Sequence, residues 1–138
     1  MQSRNERSTP LPRLLLVEDQ LDLADLMEQA LTDEGNEIAH ANSVFEALGM
    51  LDNGHFDGAV LDVELRDGVV FPVADRLLEL GIPYLFASAV YDQLVPVRHQ
   101  RAPFLAKPFH VQGLQRAVRE ALGGMRCSPV PPRPPVRN

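Results

Sequence analysis

Residues 57–68 read DGAVLDVELRDG, and the step from Leu61 to Asp62 is where the fold is decided. Gly58-Ala-Val-Leu61 is a short apolar run without polar alternation, the pattern of a strand buried on both faces, and a carboxylate closes it. The same form recurs on either side. Upstream, Arg13-Leu-Leu-Leu-Val17 runs into Glu18-Asp19. Downstream, Ile82–Ala87 runs into Ser88, and Phe104-Leu-Ala106 runs into Lys107-Pro108. Glu37–Ala41 is a further short strand candidate.

Helical periodicity fills the intervals. Leu23, Leu26, Met27, Ala30 and Leu31 fall at i, i+3, i+4, i+7 and i+8, a single stripe ended by Gly35. Ser43 followed by Glu46 matches a capping box and opens a helix that runs to Asn53-Gly54. Val73–Leu80 is predicted helical and stopped by Gly81. Leu114, Ala117, Val118, Ala121 and Leu122 form a last amphipathic helix. Residues 91–101 admit only a short helix, because Pro96 lacks a backbone donor. Strand followed by helix, five times over, predicts an α/β fold: a doubly wound, five-stranded parallel sheet with helices on both faces.

The 138 residues include 13 Lys+Arg against 19 Asp+Glu, for a net charge of −6. Twelve of the basic residues are arginine, and only Lys107 is lysine. Residues 13–123 hold 8 basic and 18 acidic side chains, a net of −10. An acidic body argues against direct nucleic-acid binding and against a polybasic membrane anchor. The lone Cys127 excludes an internal disulfide framework and a Cys-based zinc site. No apolar run is long enough to span a bilayer, and the polar N-terminus lacks the apolar stretch of a signal peptide. A cytoplasmic, reduced protein is expected. Residues 1–12, with Pro10 and Pro12, and residues 124–138, with five prolines between Pro129 and Pro135, read as disordered tails flanking a single domain at 13–123. A proline-motif ligand is the less favoured reading of the C-terminal stretch.

In an open parallel sheet the site lies at the carboxyl ends of the strands. Glu18, Asp19, Asp62, Ser88 and Lys107 all follow apolar runs, so three carboxylates, a hydroxyl and an amine should converge on one edge. Any one of them has a plainer explanation as a solvated turn residue, a helix cap or a surface charge. Together they make a chemical set. Crowded carboxylates need a cation, and all-oxygen ligands suit a hard divalent metal, Mg²⁺ or Mn²⁺. A carboxylate beside such a metal can attack phosphorus and form an aspartyl phosphate. The amine and the hydroxyl would then stabilise phosphoryl oxygens. Arginine should not replace Lys107, because a planar fork does not fit where a point charge meets an oxygen.

Four stretches, LLLVEDQ (14–20), DGAVLDVELRDG (57–68), YLFASA (84–89) and FLAKPF (104–109), resemble the receiver domain of bacterial two-component response regulators over residues 13–123. The resemblance implies a flavodoxin-like sheet of strand order 2-1-3-4-5. It implies Asp62 as phosphoacceptor, Asp19 as direct Mg²⁺ ligand, Glu18 assisting, and the Glu64 backbone carbonyl as a further ligand. Ser88 corresponds to the switch hydroxyl, Lys107 to the lysine that pairs with the phosphoryl group, and Phe104 to the aromatic switch position. The Lys107-Pro108 bond is expected to be cis. The DVELRDG…FPVADRL pattern also resembles a single-domain subgroup with a Phe-Ala-Thr-Gly-Tyr or -Gly stretch, here Phe86-Ala87-Ser88-Ala89-Val90-Tyr91. Departures from the family pattern are Glu-Asp for Asp-Asp, Ser88 for Thr, and Arg66 for a frequent Pro.

The implied role is a stand-alone phosphoacceptor and not an enzyme. Its implied partners are a histidine kinase or histidine phosphotransfer protein and an unidentified downstream protein, and it would act as a monomer or a phosphorylation-linked dimer. The change would pass to the surface of the fourth helix, fifth strand and fifth helix. A degenerate receiver that binds partners regardless of phosphorylation is the first alternative. A haloacid-dehalogenase-type phosphatase is disfavoured, since its second Asp would fall at Glu64. A dinucleotide site is disfavoured because no G-x-G-x-x-G follows the first strand.

Overall fold

The computed structural model describes residues 11–89 and 94–126. In chain order the elements are β1 (Arg13–Val17), α1 (Leu21–Asp33), β2 (Glu37–Ala41), α2 (Val44–Asn53), β3 (Gly58–Leu61), β4 (Glu64–Leu65), β5 (Gly68–Val69), α3 (Phe71–Leu80), β6 (Tyr84–Ser88), a 3-10 turn at Val97–His99, β7 (Phe104–Ala106) and α4 (Val111–Arg126). The main sheet is parallel, in the order β2-β1-β3-β6-β7. Counting its five strands alone, that is the expected 2-1-3-4-5.

The uninterrupted apolar runs are buried on both sides of the sheet. Along β1, Leu14 and Leu16 face one core with Met27 of α1 and Leu114 of α4. Leu15 and Val17 face the other core with Ala47 of α2 and Leu77 of α3. Each fully buried Leu contributes about 1.5–3 kcal/mol relative to an exposed one. Slipping a strand by one residue would exchange the two faces, so the double-sided burial also sets the register.

The differences from expectation are local. The predicted fourth crossover helix is a 3-10 turn at Val97–His99 among the described residues. Pro96 immediately precedes it, removing a donor and disfavouring helical dihedrals at Val95. A two-stranded antiparallel hairpin, β4–β5, which periodicity could not signal at two residues per strand, follows β3. Helix α3 starts at Phe71 rather than Val73, since Pro72 sits in the first turn, where its missing donor costs nothing. Leu26 is 51% exposed, and Ala24 takes its place in the core, so the buried stripe of α1 is rotated from the one read by periodicity. Strand β6 runs Tyr84–Ser88 rather than Ile82–Ala87, placing Ser88 within the strand. Helix α4 continues to Arg126, into the stretch read as tail. Residues 1–10, Val90, Tyr91, Cys127 and the Pro-rich stretch lie outside the described residues.

Helix ends follow the sequence closely. Gly81 adopts φ 72° and ends α3, with its backbone N–H donating to the Leu78 carbonyl at 3.1 Å. Ser43 Oγ accepts from the Glu46 backbone N–H at 3.0 Å. Glu46 Oε1 accepts from the Asn42 N–H at 2.7 Å, one residue before the cap itself. No helix among the described residues is long and apolar enough to cross a membrane.

Candidate functional site

Parallel pairing aligns the strand ends and so gathers the residues that follow them. The Asp62 N–H donates to the Val17 carbonyl at 2.9 Å, tying the end of β3 to β1. The Lys107 N–H donates to the Ser88 carbonyl at 2.9 Å, tying β7 to β6, and the Glu18 N–H donates to the Ala41 carbonyl at 3.0 Å, tying β1 to β2. Glu18, Asp62 and Ser88 are buried, and Asp19 and Lys107 are partly buried at the same edge.

Lys107 bridges two of the carboxylates. Its Nζ lies 2.8 Å from Glu18 Oε1 and 3.1 Å from Asp62 Oδ2. Glu18 does not cap α1, which begins after Gln20 without a side-chain cap. Its Oε2 accepts the Gln20 N–H at 3.1 Å. Burial lifts the Glu18 carboxyl above its ordinary range, and the Asp62 charge adds to that, against the hydrogen bonds from Lys107 and Gln20. Burial works to lower Lys107, but hydrogen bonds to Glu18 and Asp62 and their charges outweigh it, and the ammonium is held above its ordinary value. One ammonium thus faces a cluster of three carboxylates, in contact with two of them.

Glu18, Asp19 and Asp62 each offer an oxygen within 4.8 Å of the others. An all-oxygen set of this spacing fits a hard divalent cation. Ser88 Oγ faces the first peptide after Asp62, where the Val63 N–H points to it at 3.4 Å. Glu64 lies in β4 with its side chain exposed. The Lys107-Pro108 peptide is cis. Phe104 is not at the edge: it is partly buried two residue pairs below Ser88–Ala106, with its ring 6.2 Å from Phe86.

Three further residues bear on this region and carry no sequence signal. His40 on β2 places Nε2 2.7 Å from the Glu18 carbonyl, and since a carbonyl only accepts, the ring donates there. Asp67, at the tip of the β4–β5 hairpin, accepts from the first two N–H groups of α2. His99, fully buried, joins the Tyr84 hydroxyl through Nδ1 and Asp75 through Nε2. None could be found by motif, because each partner is at least 15 residues away in the chain.

No protein-family model matches the chain. It is 34% identical over 129 residues to the transcriptional regulatory protein TcrA of Mycobacterium tuberculosis, covering 90% of this chain and 49% of that protein. The chain thus spans about half the length of the curated relatives it matches. Among solved structures, the signal receiver domain of a putative LuxO repressor protein from Vibrio parahaemolyticus superposes with a TM-score of 0.75 at 28% identity, over 85% of this chain and 94% of that one. Response regulator TrrA of Thermotoga maritima, solved with Mg²⁺ and BeF, shares the fold with a TM-score of 0.73 at 24% identity, over 81% of this chain and 100% of that one.

Proposed function

Because this chain belongs to the response-regulator receiver family, we propose that Asp62 accepts a phosphoryl group from a histidine kinase or a histidine phosphotransfer protein. The modified domain then signals by altered protein–protein contact or by passing the group onward. The observation that carries this reading is the Lys107 ammonium held within 3.1 Å of Asp62 in a buried acidic cluster. That is the arrangement a carboxylate nucleophile and an incoming anionic phosphoryl group require.

An Asp62 oxygen attacks phosphorus, the bond from phosphorus to the donor imidazole nitrogen breaks, and the imidazole leaves with the bonding electron pair. Glu18, Asp19 and Asp62, with the Glu64 carbonyl, would hold Mg²⁺, which when bound would neutralise charge at the phosphoryl oxygens. Lys107 exchanges its contact with Asp62 for one with a phosphoryl oxygen, and the Ser88 hydroxyl donates to another. Phe104 then repacks against Phe86. The domain that does this is residues 13–123 together with the end of α4 to Arg126, and its acidic surface favours protein partners over nucleic acid.

Radiolabelled acetyl phosphate, supplied with Mg²⁺, tests the reading. Label should enter the wild type and not Asp62→Asn. Equal labelling of both refutes Asp62 as acceptor, and no labelling of either returns the degenerate-receiver alternative.

A further inference from the structure

The hairpin that follows the phosphoacceptor is too short to hold itself in place. Two residues per strand give only the pairs Glu64–Val69 and Leu65–Gly68, and an isolated two-stranded ribbon is marginal in water. Its base is fastened: the Val70 N–H donates to the Val63 carbonyl at 2.9 Å, and Leu65 and Val70 are buried. Its tip, residues 66–69, is exposed and turns through Gly68 at φ 137°.

From that tip Asp67 reaches α2. Oδ1 accepts the Val44 N–H at 2.8 Å and Oδ2 accepts the Phe45 N–H at 3.0 Å. With Ser43 Oγ on the Glu46 N–H, the first three donors of the helix are satisfied, two of them by a residue more than 20 positions downstream. Those two bonds hold the Asp67 carboxyl below its ordinary range. The contact closes a ring around the acidic cluster. It runs from Asp62 through the hairpin to Asp67, across to the start of α2, back along the chain to Ala41 of β2, and over the Ala41 carbonyl to the Glu18 N–H at 3.0 Å. His40, beside Ala41, holds the Glu18 carbonyl from the same strand.

We propose that Asp67 is a positioning residue: by clamping the hairpin to α2 it sets the spacing between the Glu64 backbone and the Glu18-Asp19 pair, and so determines how tightly the cluster binds a divalent cation. The proposal rests on the receiver reading above. Without the clamp the hairpin samples several placements, and the cation must select among them, which lowers its apparent affinity in proportion to the competent fraction. Losing a capping carboxylate at a helix N-terminus weakens that placement by about fivefold or more.

Mg²⁺ binding by calorimetry, with acetyl phosphate labelling across a Mg²⁺ series, tests it on Asp67→Ala, Asp67→Asn and Ser43→Ala. Asp67→Ala should raise the Mg²⁺ dissociation constant, and the Mg²⁺ concentration for half-maximal labelling, by about twofold to fivefold. The labelling rate at saturating Mg²⁺ should stay within about twofold of wild type, because selection among placements is complete there. Asp67→Asn, which keeps one acceptor, should fall between. Ser43→Ala removes a cap from the same helix but leaves the hairpin clamped, so its Mg²⁺ affinity should match wild type even where its melting temperature falls as far as that of Asp67→Ala. Unchanged Mg²⁺ affinity in Asp67→Ala, or an equal loss in Ser43→Ala, overturns the proposal while leaving the receiver reading intact. Absence of Mg²⁺ binding and of labelling in the wild type overturns both.

Discussion

Replacing Lys107 with Met keeps the unbranched stem and removes the charge that joins Glu18 to Asp62. Both ion pairs are close, 2.8 and 3.1 Å, and the side chains of Lys107, Glu18 and Asp62 are only 13%, 1% and 9% exposed. At such distances and an effective dielectric of about 20, each pair gains about 5 kcal/mol before desolvation is subtracted. What the substitution costs is set by the charges left behind, which have already lost their water. Removing one partner of a buried pair costs about 3–5 kcal/mol. The edge opens to solvent at Lys107, so the lower end, about 3 kcal/mol, is expected. In a domain of this size that lowers the melting temperature by about 12 °C.

Magnesium should reverse the effect selectively. Two uncompensated carboxylates bind a divalent cation more tightly than two shared with an ammonium, and each tenfold gain in affinity adds about 1.4 kcal/mol of stability at saturating ligand. Thermal unfolding followed by circular dichroism, in EDTA and in excess MgCl₂, reads both consequences. The variant should melt well below wild type in EDTA and recover most of the gap in Mg²⁺. Lys107→Arg should recover stability in EDTA only in part, because the guanidinium fork does not reproduce a point charge between two oxygens. If Lys107→Met melts with wild type in EDTA, or if Mg²⁺ raises both proteins equally, the bridge is not holding the site.

Other expectations follow from the fold. Arg98 binds Asp75 through both carboxylate oxygens, at 2.7 and 3.1 Å, and this pairing, opposed by burial and aided by His99, holds Asp75 below its ordinary value of 3.8. A carboxyl lowered in the folded state contributes stability that is present above its unfolded value and lost as pH falls through the folded one. Asp75→Asn should therefore flatten the acid limb of a stability–pH curve below about pH 4 and leave its shape unchanged at higher pH; an unaltered acid limb refutes the assignment. His99→Leu leaves the buried Tyr84 hydroxyl without its ring partner and should cost about 1–3 kcal/mol, read as a lower urea midpoint at constant m. Adding Tyr84→Phe should return part of that loss, since it removes the orphaned hydroxyl as well; strict additivity would argue against the bond. Gly81→Ala, at φ 72°, should cost about 1 kcal/mol in the same assay, and a neutral result would mean that the turn relaxes.

The sequence alone determined the sheet and the set of residues at its edge. Apolar runs such as 14–17 and 58–61, alternating with amphipathic helical stripes, select a parallel sheet covered by helices, in which such runs are buried on both faces. Once the strands are parallel, whatever follows them meets at one end. Glu18, Asp19, Asp62, Ser88 and Lys107 were legible for that reason: period and position are local properties of a chain. Phe104 was legible as a strand residue, but its depth beside Phe86 was not. Tertiary structure alone decided which of the edge residues touch. A single lysine between two carboxylates, a hairpin clamped by Asp67, a histidine donating to the Glu18 carbonyl, and a buried Tyr84–His99 pair that reaches the half-exposed Asp75 each join segments at least 15 residues apart. Such contacts depend on where a side chain finds an unsatisfied donor or acceptor after the backbone has been packed. The three-residue 3-10 turn where a fourth crossover helix was expected belongs with them: Pro96 limits the helix, and the burial of His99 between Phe71 and Tyr84 gives the short segment its anchor.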